Sequence, residues 1–156
     1  MSTPAQTTPM EMELTRTFNS PRELVWRAWT EADNLQQWWG PQHFTNPRCE
    51  IDLRPGGRIH IDMRAPDGVV YPMGGEFEQI VPPERLVFLT SALDEQGEPI
   101  FVNRNTVLFR EVDGGTEISI HTVTIEATPH AMQYLKGMRE GWNGSLDKFE
   151  DFLKNL

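Results

Sequence analysis

The spacing of hydrophobic and polar positions changes twice along the chain. A loosely alternating stretch at 11–18 precedes two stretches with apolar residues at helical spacing. Alternating runs rich in Val, Ile, Phe and Thr follow, separated by turn clusters such as RPGG, APDG and VDGG, which predicts an antiparallel meander. We expect six strands there, at about 47–54, 57–65, 69–81, 85–93, 100–111 and 115–126.

Two short helices are predicted between the first strand and the meander. In NSPRELVWRAW, Ser20 is a candidate N-cap and Pro21 occupies the first helical position. TEADNLQQWWG follows with Thr30 as its N-cap, and Gly40 and Pro41 mark its end. Helices therefore interrupt the sheet early.

A long amphipathic helix is predicted at the C-terminus. Thr128 is its expected N-cap and Pro129 its first residue, and some 26 residues would give a length of about 40 Å. Gly137, Gly141 and Gly144 fall along one edge of the apolar face, although each costs about 1 kcal/mol relative to alanine. The cluster indicates that a sheet, a loop or a bound molecule passes close to the backbone. The element order predicts an α+β layer architecture.

Composition excludes several classes of function. The formal charge of −9, with no cluster of Lys and Arg, argues against a nucleic-acid surface, and no apolar run could span a bilayer. Cys49 cannot form an internal disulfide, no signal core follows the N-terminus, and no motif would activate the thiol, so a cytoplasmic protein is expected. Residues 1–10 are expected to form a flexible tail before a single domain at 11–156.

Few motifs point to chemistry. The four histidines lack the spacing of a zinc site, and neither a G-x-S-x-G elbow nor a phosphate-binding glycine motif is present, so no metal and no cofactor are expected. Gly74 and Gly75 lie inside a predicted strand, which indicates a bulge or a close backbone approach. An acid or base for catalysis could come from Tyr71, or from Glu76 or Glu78 if they face inward.

Two amides are predicted on an apolar strand face. In FVNRNTVLF, an inward-facing Phe101, Val107 and Phe109 would carry Asn103 and Asn105 to the same side. Buried amides need partners, which could be each other, loop backbone, water or a ligand.

The aromatic and methionine content exceeds what a thin helix–sheet interface obviously needs. These residues could fill the core, or they could line a ligand cavity in which Asn103, Asn105 or Tyr71 fixes orientation. The candidate cavity-lining residues are Trp39, Phe44, Ile61, Met63, Tyr71, Met73, Phe77, Phe88, Asn103, Asn105, Ile120, Met138, Gly141 and Trp142.

Five segments in order resemble one family pattern across about residues 11–156. They are FNSPRELVWRAWTEADNLQQWWGP, CEIDLRPGGRIHIDMRAPDG, PPERLVF, DGGTEISI and MREGWNGSLDKFEDFL. The pattern resembles the START-like superfamily, of the polyketide cyclase or birch-pollen-allergen type, and within it the branch of the C-terminal domain of the activator of heat-shock-protein-90 ATPase. The resemblance implies a helix-grip fold, a curved antiparallel sheet of about seven strands around a long C-terminal helix. A Gly-Trp pair beside the family's cavity corresponds to Gly141 and Trp142.

Three functions follow from the resemblance and the composition together. The leading interpretation is a monomeric or homodimeric protein that binds a small hydrophobic or aromatic molecule under the final helix. A co-chaperone-like module that stimulates a heat-shock-protein-90 type ATPase, as in a stress response, is one alternative. A cyclase or hydrolase that uses the same cavity is the other.

Overall fold

The computed structural model describes residues 11–156, which form one seven-stranded antiparallel sheet and four helices. The predicted tail at 1–10 lies outside the described residues. The strands are β1 (Glu11–Phe18), β2 (Thr45–Ile51), β3 (Arg58–Arg64), β4 (Val70–Val81), β5 (Arg85–Ala92), β6 (Phe101–Val112) and β7 (Gly115–Ala127). The helices are α1 (Arg22–Thr30), α2 (Ala32–Trp38), α3 (Met132–Leu135) and α4 (Met138–Lys154).

The sheet is curved and unclosed, with the strand order β1-β7-β6-β5-β4-β3-β2. β1 and β7, the first and last strands in sequence, pair with each other, so β1 and β2 form the two edges. The predicted meander is confirmed, and each strand end lies within about three residues of its expected place. Gly75 is required inside β4 because a Cβ there would collide with the Leu89 carbonyl oxygen of β5.

The predicted side-chain caps are wrong. Pro21, with extended backbone, is the N-cap residue of α1, and α2 begins after Glu31. The Thr30 hydroxyl donates instead to the Trp26 carbonyl at 2.8 Å, within the last turn of α1. The C-terminal limit of α2 agrees with the sequence, since Gly40 takes a positive φ of 90° directly after the C-cap residue Trp39.

The predicted single final helix is also wrong, because it is divided at Gly137. Residues 128–131 form a turn in which the Ala131 amide donates to the Thr128 carbonyl at 3.0 Å. Gly137 is the N-cap residue of α4, with φ −94° and ψ 11°, outside helical geometry. Glycine loses the most backbone freedom in a helix, so a break is least costly there. The 17 residues of α4 give a helix of about 26 Å rather than 40 Å.

The core lies between the concave face of the sheet and the helices α1, α2 and α4. Phe149 of α4 meets Phe18 edge to face at 5.0 Å and Trp38 at 4.7 Å, measured between ring centroids. The Trp38 indole donates to the Ala28 carbonyl at 3.0 Å, so this buried ring keeps a partner for its polar atom. At the surface, Arg16 of β1 forms an ion pair with Asp147 of α4 at 2.7 Å.

Candidate functional site

The N-terminal half of α4 covers a cavity of about 490 Å³ and touches the sheet beside it, since Arg139 donates to the Glu13 carbonyl of β1 at 3.1 Å. Strands β3 to β6, the loop after α2, and α3 enclose the other sides. The lining residues are Trp39, Gly40, Pro41, Phe44, Met63, Tyr71, Pro72, Met73, Thr90, Ser91, Ala92, Leu93, Phe101, Asn103, Asn105, Gln133, Tyr134, Leu135, Gly137, Met138, Gly141, Trp142 and Ser145. This volume lies in the range of small-molecule sites.

Ten of the fourteen candidate residues border this cavity. They are Trp39, Phe44, Met63, Tyr71, Met73, Asn103, Asn105, Met138, Gly141 and Trp142. Ile61, Phe77 and Phe88 instead line a separate void of about 20 Å³ deeper in the core, and Ile120 is fully packed. Ile61, Phe77 and Phe88 share strand faces with lining residues, but Trp29, Leu35 and Trp39 fill the space above them. Ile120 lies on β7, which contributes no lining residue. A ligand-contacting role for the ten residues stays a prediction.

The three glycines of the final segment have three different environments. A Cβ on Gly144 would lie 2.9 Å from the Gln42 backbone nitrogen, so the loop after α2 passes against the helix there. A Cβ on Gly141 would meet nothing closer than Pro41 Cγ at 4.0 Å, and this edge borders the cavity. Gly137 marks the break between α3 and α4. A loop and a cavity, rather than the sheet, therefore account for the glycines within α4.

The loop at 39–44, which forms one cavity wall, is fixed by polar groups of α4. The Lys148 ammonium donates to the carbonyl oxygens of Trp39, Pro41 and Phe44 at 3.0, 3.2 and 3.1 Å. The Ser145 hydroxyl donates to the Gly40 carbonyl at 2.8 Å. Burial lowers the pKa of Lys148 from its usual value, while three surrounding carbonyl oxygens favour the charged form. All three ammonium donors are thus used to hold this wall.

The two predicted inward amides are confirmed, and they differ in how fully they are bonded. Asn105 donates through Nδ2 to the Phe88 carbonyl at 3.2 Å and to the Thr90 hydroxyl at 3.0 Å. Its Oδ1 accepts from Thr122 at 2.8 Å, so the protein itself satisfies this amide. Asn103 accepts from the Thr124 hydroxyl at 2.7 Å, but its Nδ2 has only the Met138 sulfur, at 3.6 Å. Thioether sulfur is a weak acceptor, so Asn103 keeps donor capacity toward the cavity.

The lining contains no Asp, Glu, Lys, Arg, His or Cys among residues 11–156. Tyr71, a candidate acid from the sequence, borders the cavity but is 39% exposed. Glu76 and Glu78 are exposed and do not border it. Glu78 pairs with Arg104 at 2.7 Å, and this hydrogen bond lowers the pKa of the Glu78 carboxyl. The cavity therefore has an uncharged, largely apolar wall.

One group of possible metal ligands is formed by pairing of the edge strand. Glu11 and Glu13 of β1 and His121 of β7 bring their ligand atoms within 4.8 Å of one another. They lie on the face of the sheet opposite Met12 and Thr122, which are buried, and both carboxylates are exposed. Carboxylates gather on exposed strand faces without an ion, and this group is separate from the cavity.

The sequence did not reveal the cavity walls made by α3 and by β5. Gln133, Tyr134 and Leu135 were expected inside one continuous helix, so their positions could not be derived before the break at Gly137 was known. Thr90 and Ser91 are polar residues in an apolar strand, a signal that could have indicated a lined space rather than a packed core.

A curved antiparallel sheet that grips a C-terminal helix, with a cavity between them, defines a helix-grip protein of the START-like superfamily. A profile of the family "Activator of Hsp90 ATPase homolog 1-like protein" matches residues 19–154, and the chain belongs to that family. The fold family binds small hydrophobic ligands. No curated protein matches the chain.

Several solved structures share the fold over nearly the whole chain. A Nitrosomonas europaea protein is 28% identical with a TM-score of 0.79, covering 93% of this chain and 94% of that one. A Mycobacterium smegmatis protein is also 28% identical, with a TM-score of 0.78 and coverage of 92% and 90%. The AHSA1 protein of Silicibacter pomeroyi is 22% identical, with a TM-score of 0.76 and coverage of 93% and 98%. Within residues 11–156, no helix is long and apolar enough to cross a membrane.

Proposed function

We propose that this protein binds a small apolar or aromatic molecule in the cavity between α4 and the sheet, without covalent chemistry. The observation that carries the proposal is the unfilled space of about 490 Å³ behind a helix whose other half is fully packed. The wall is largely apolar, and the space is open to water beside Tyr71 and Tyr134. An apolar ligand would remove this apolar surface from water, which is favourable.

The chemistry of the wall favours binding over catalysis. Hydrolysis or cyclisation requires a group that transfers a proton within hydrogen-bond reach of the substrate. In the described part of the chain, the cavity wall offers only Tyr71 and Tyr134 as titratable groups, and both are more than a third exposed. Aromatic rings dominate instead, with Trp39 and Trp142 edge to face at 5.4 Å between centroids. Such walls suit apolar and aromatic ligands.

Gly141→Leu tests the proposal by placing a side chain into the cavity from α4. The Cβ position there is free of contacts closer than 4.0 Å, so we expect the leucine to extend into the space rather than to clash. Leucine also raises helix propensity by about 1 kcal/mol over glycine, so stability should be unchanged or higher. Titration with diphenylhexatriene, an uncharged hydrocarbon that fluoresces when it is sheltered from water, should show saturable binding by the wild type and a large loss in the variant.

Glu140→Leu is the matched control, because it adds the same side chain one position earlier on the exposed face of α4. It should bind the hydrocarbon as the wild type does. The proposal is wrong if the wild type does not bind, or if Gly141→Leu binds equally well. Native mass spectrometry of protein purified from its own host would then identify the class of the natural ligand.

Membership of the family favours a second candidate, a cytoplasmic co-chaperone that stimulates a heat-shock-protein-90 type ATPase. Exposed apolar side chains at Val69, Val70 and Tyr71 would offer a contact surface for such a partner. Stimulation of the partner's ATPase that Gly141→Leu leaves intact would favour this function. No stimulation would exclude it for the chaperone tested.

A further inference from the structure

We propose that the Asn103 amide orients the bound molecule, and that this molecule is an uncharged aromatic compound whose carbonyl oxygen accepts from Asn103 Nδ2. The inference rests on the proposed function and assigns the chemical class of the ligand. It follows from the bonding of the polar side chains in the wall and from the absence of charge there.

The Asn103 amide is held in one orientation. Its Oδ1 accepts from the buried Thr124 hydroxyl at 2.7 Å, and its Nδ2 lies 3.6 Å from Met138 Sδ. A flipped amide would direct Oδ1 at a sulfur that cannot donate, so the hydrogen-bond pattern favours the observed orientation. The NH₂ group therefore points from the sheet toward α4, across the cavity.

This donor is buried and incompletely satisfied. Asn103 is 6% exposed, so water competes little for its N–H groups. A thioether takes at most one N–H, and only weakly; the other has no acceptor among the residues that the structure describes. A buried donor without a full partner is unfavourable, and a ligand acceptor would remove that cost.

Asn105, the other buried amide in the wall, is not equivalent. Phe88 and Thr90 accept its N–H groups and Thr122 donates to its oxygen, so the protein already satisfies it. Gln133, Tyr71 and Tyr134 are exposed, and water can satisfy their polar groups. Asn103 is therefore the buried amide in this wall that has something to gain from a ligand.

The required acceptor is a carbonyl oxygen on an uncharged molecule. A ligand hydroxyl would bring a donor that itself needs a partner in a largely apolar wall, whereas a carbonyl oxygen only accepts. A carboxylate would lose its hydration without meeting a positive charge, because no charged side chain borders the cavity within residues 11–156. A ketone, ester or amide oxygen accepts without donating and carries no charge.

The test compares two dyes that differ in one oxygen. Prodan is an uncharged naphthyl ketone, and its methylene analogue has CH₂ in place of the carbonyl. The wild type should bind Prodan roughly tenfold more tightly than the analogue, whose dissociation constant is measured by competition with Prodan. In Asn103→Leu the ratio of the two dissociation constants should fall to about one, and Prodan emission should move to shorter wavelength as its hydrogen bond is lost.

Asn155→Leu is the matched control, because it makes the same exchange at an exposed position at the end of α4, away from the cavity. It should retain the preference for the ketone. If Asn103→Leu does not fold, the double variant Asn103→Leu/Thr124→Val replaces both partners of the buried hydrogen bond by apolar groups, which is far less costly than orphaning one.

The outcomes separate the two proposals. Equal binding of both dyes by the wild type, or an unchanged ratio in Asn103→Leu, overturns the role of Asn103 while the proposed binding function stands. Equally tight binding of the carboxylate analogue of Prodan overturns the uncharged class. Failure of the wild type to bind either dye overturns the binding function and this inference with it.

Discussion

Gly141→Ala and Gly144→Ala should change stability in opposite directions, although the two positions lie one turn apart on α4. Alanine improves helix propensity by about 1 kcal/mol at either site. At Gly141 the new methyl group meets Pro41 Cγ at 4.0 Å, an ordinary contact, so this gain should be kept. We expect a stabilisation of about 0.5–1 kcal/mol.

At Gly144 the same methyl group would lie 2.9 Å from the Gln42 backbone nitrogen and 3.3 Å from its Cγ. The nearest atom is backbone, and the Lys148 ammonium and the Ser145 hydroxyl hold that loop in place. Overpacking of this kind costs typically 1–3 kcal/mol. After the gain in propensity is subtracted, the net destabilisation is about 0–2 kcal/mol, so the two variants should differ by about 1–3 kcal/mol.

Urea unfolding followed by circular dichroism would measure both variants against the wild type. In thermal unfolding, a chain of this size shifts its midpoint by about 2–4 °C per kcal/mol, so the separation is measurable. Equal stabilisation by both substitutions would refute the reasoning, because the loop would then yield to a methyl group at no cost.

Two further substitutions or modifications test other parts of the fold. Lys148→Met should lower the free energy of unfolding by about 2 kcal/mol, because three carbonyl oxygens lose an ammonium donor. The control Lys154→Met, at the exposed end of α4, should change it by no more than about 0.5 kcal/mol in the same urea titration. Burial raises the pKa of the Cys49 thiol to about 11, so at pH 8 iodoacetamide should label folded protein roughly two orders of magnitude more slowly than protein unfolded in urea. Between pH 9.0 and about 11 the folded protein keeps the Cys49 proton while the unfolded chain loses it, so the free energy of unfolding should fall as pH rises through that window. Cys49→Ala should remove this part of the pH dependence.

The strands were predictable because their signals are local. Alternation and turn clusters such as RPGG depend on neighbouring residues alone, and the sheet reproduces them to within a few residues. The caps at Ser20, Thr30 and Thr128 failed for a related reason. Capping preference is worth about 1 kcal/mol, and a competing local bond can replace it, as the Thr30 hydroxyl shows by donating to the Trp26 carbonyl within α1.

The boundary between core and cavity could not be predicted from strand faces. Met73 and Phe77 both point to the concave side of β4, yet only Met73 borders the large cavity. The difference depends on where along the strand the helices stop covering it, which is a property of the assembled layers. Sequence alternation gives the face of a residue but not its depth.

The break at Gly137 links the helix pattern to the cavity. A continuous helix would have carried residues 131–137 about 10 Å along the axis of α4. Instead the Thr128 amide donates to the Ile100 carbonyl, and the turn at 128–131 begins there. The following helix α3 therefore lies beside the start of β6. Leu135 is buried and the Tyr134 ring meets Phe101 at 6.1 Å between centroids, so this short helix closes one end of the space. The glycine that lowers helix propensity at 137 therefore allows the chain to form a wall that a longer helix could not provide.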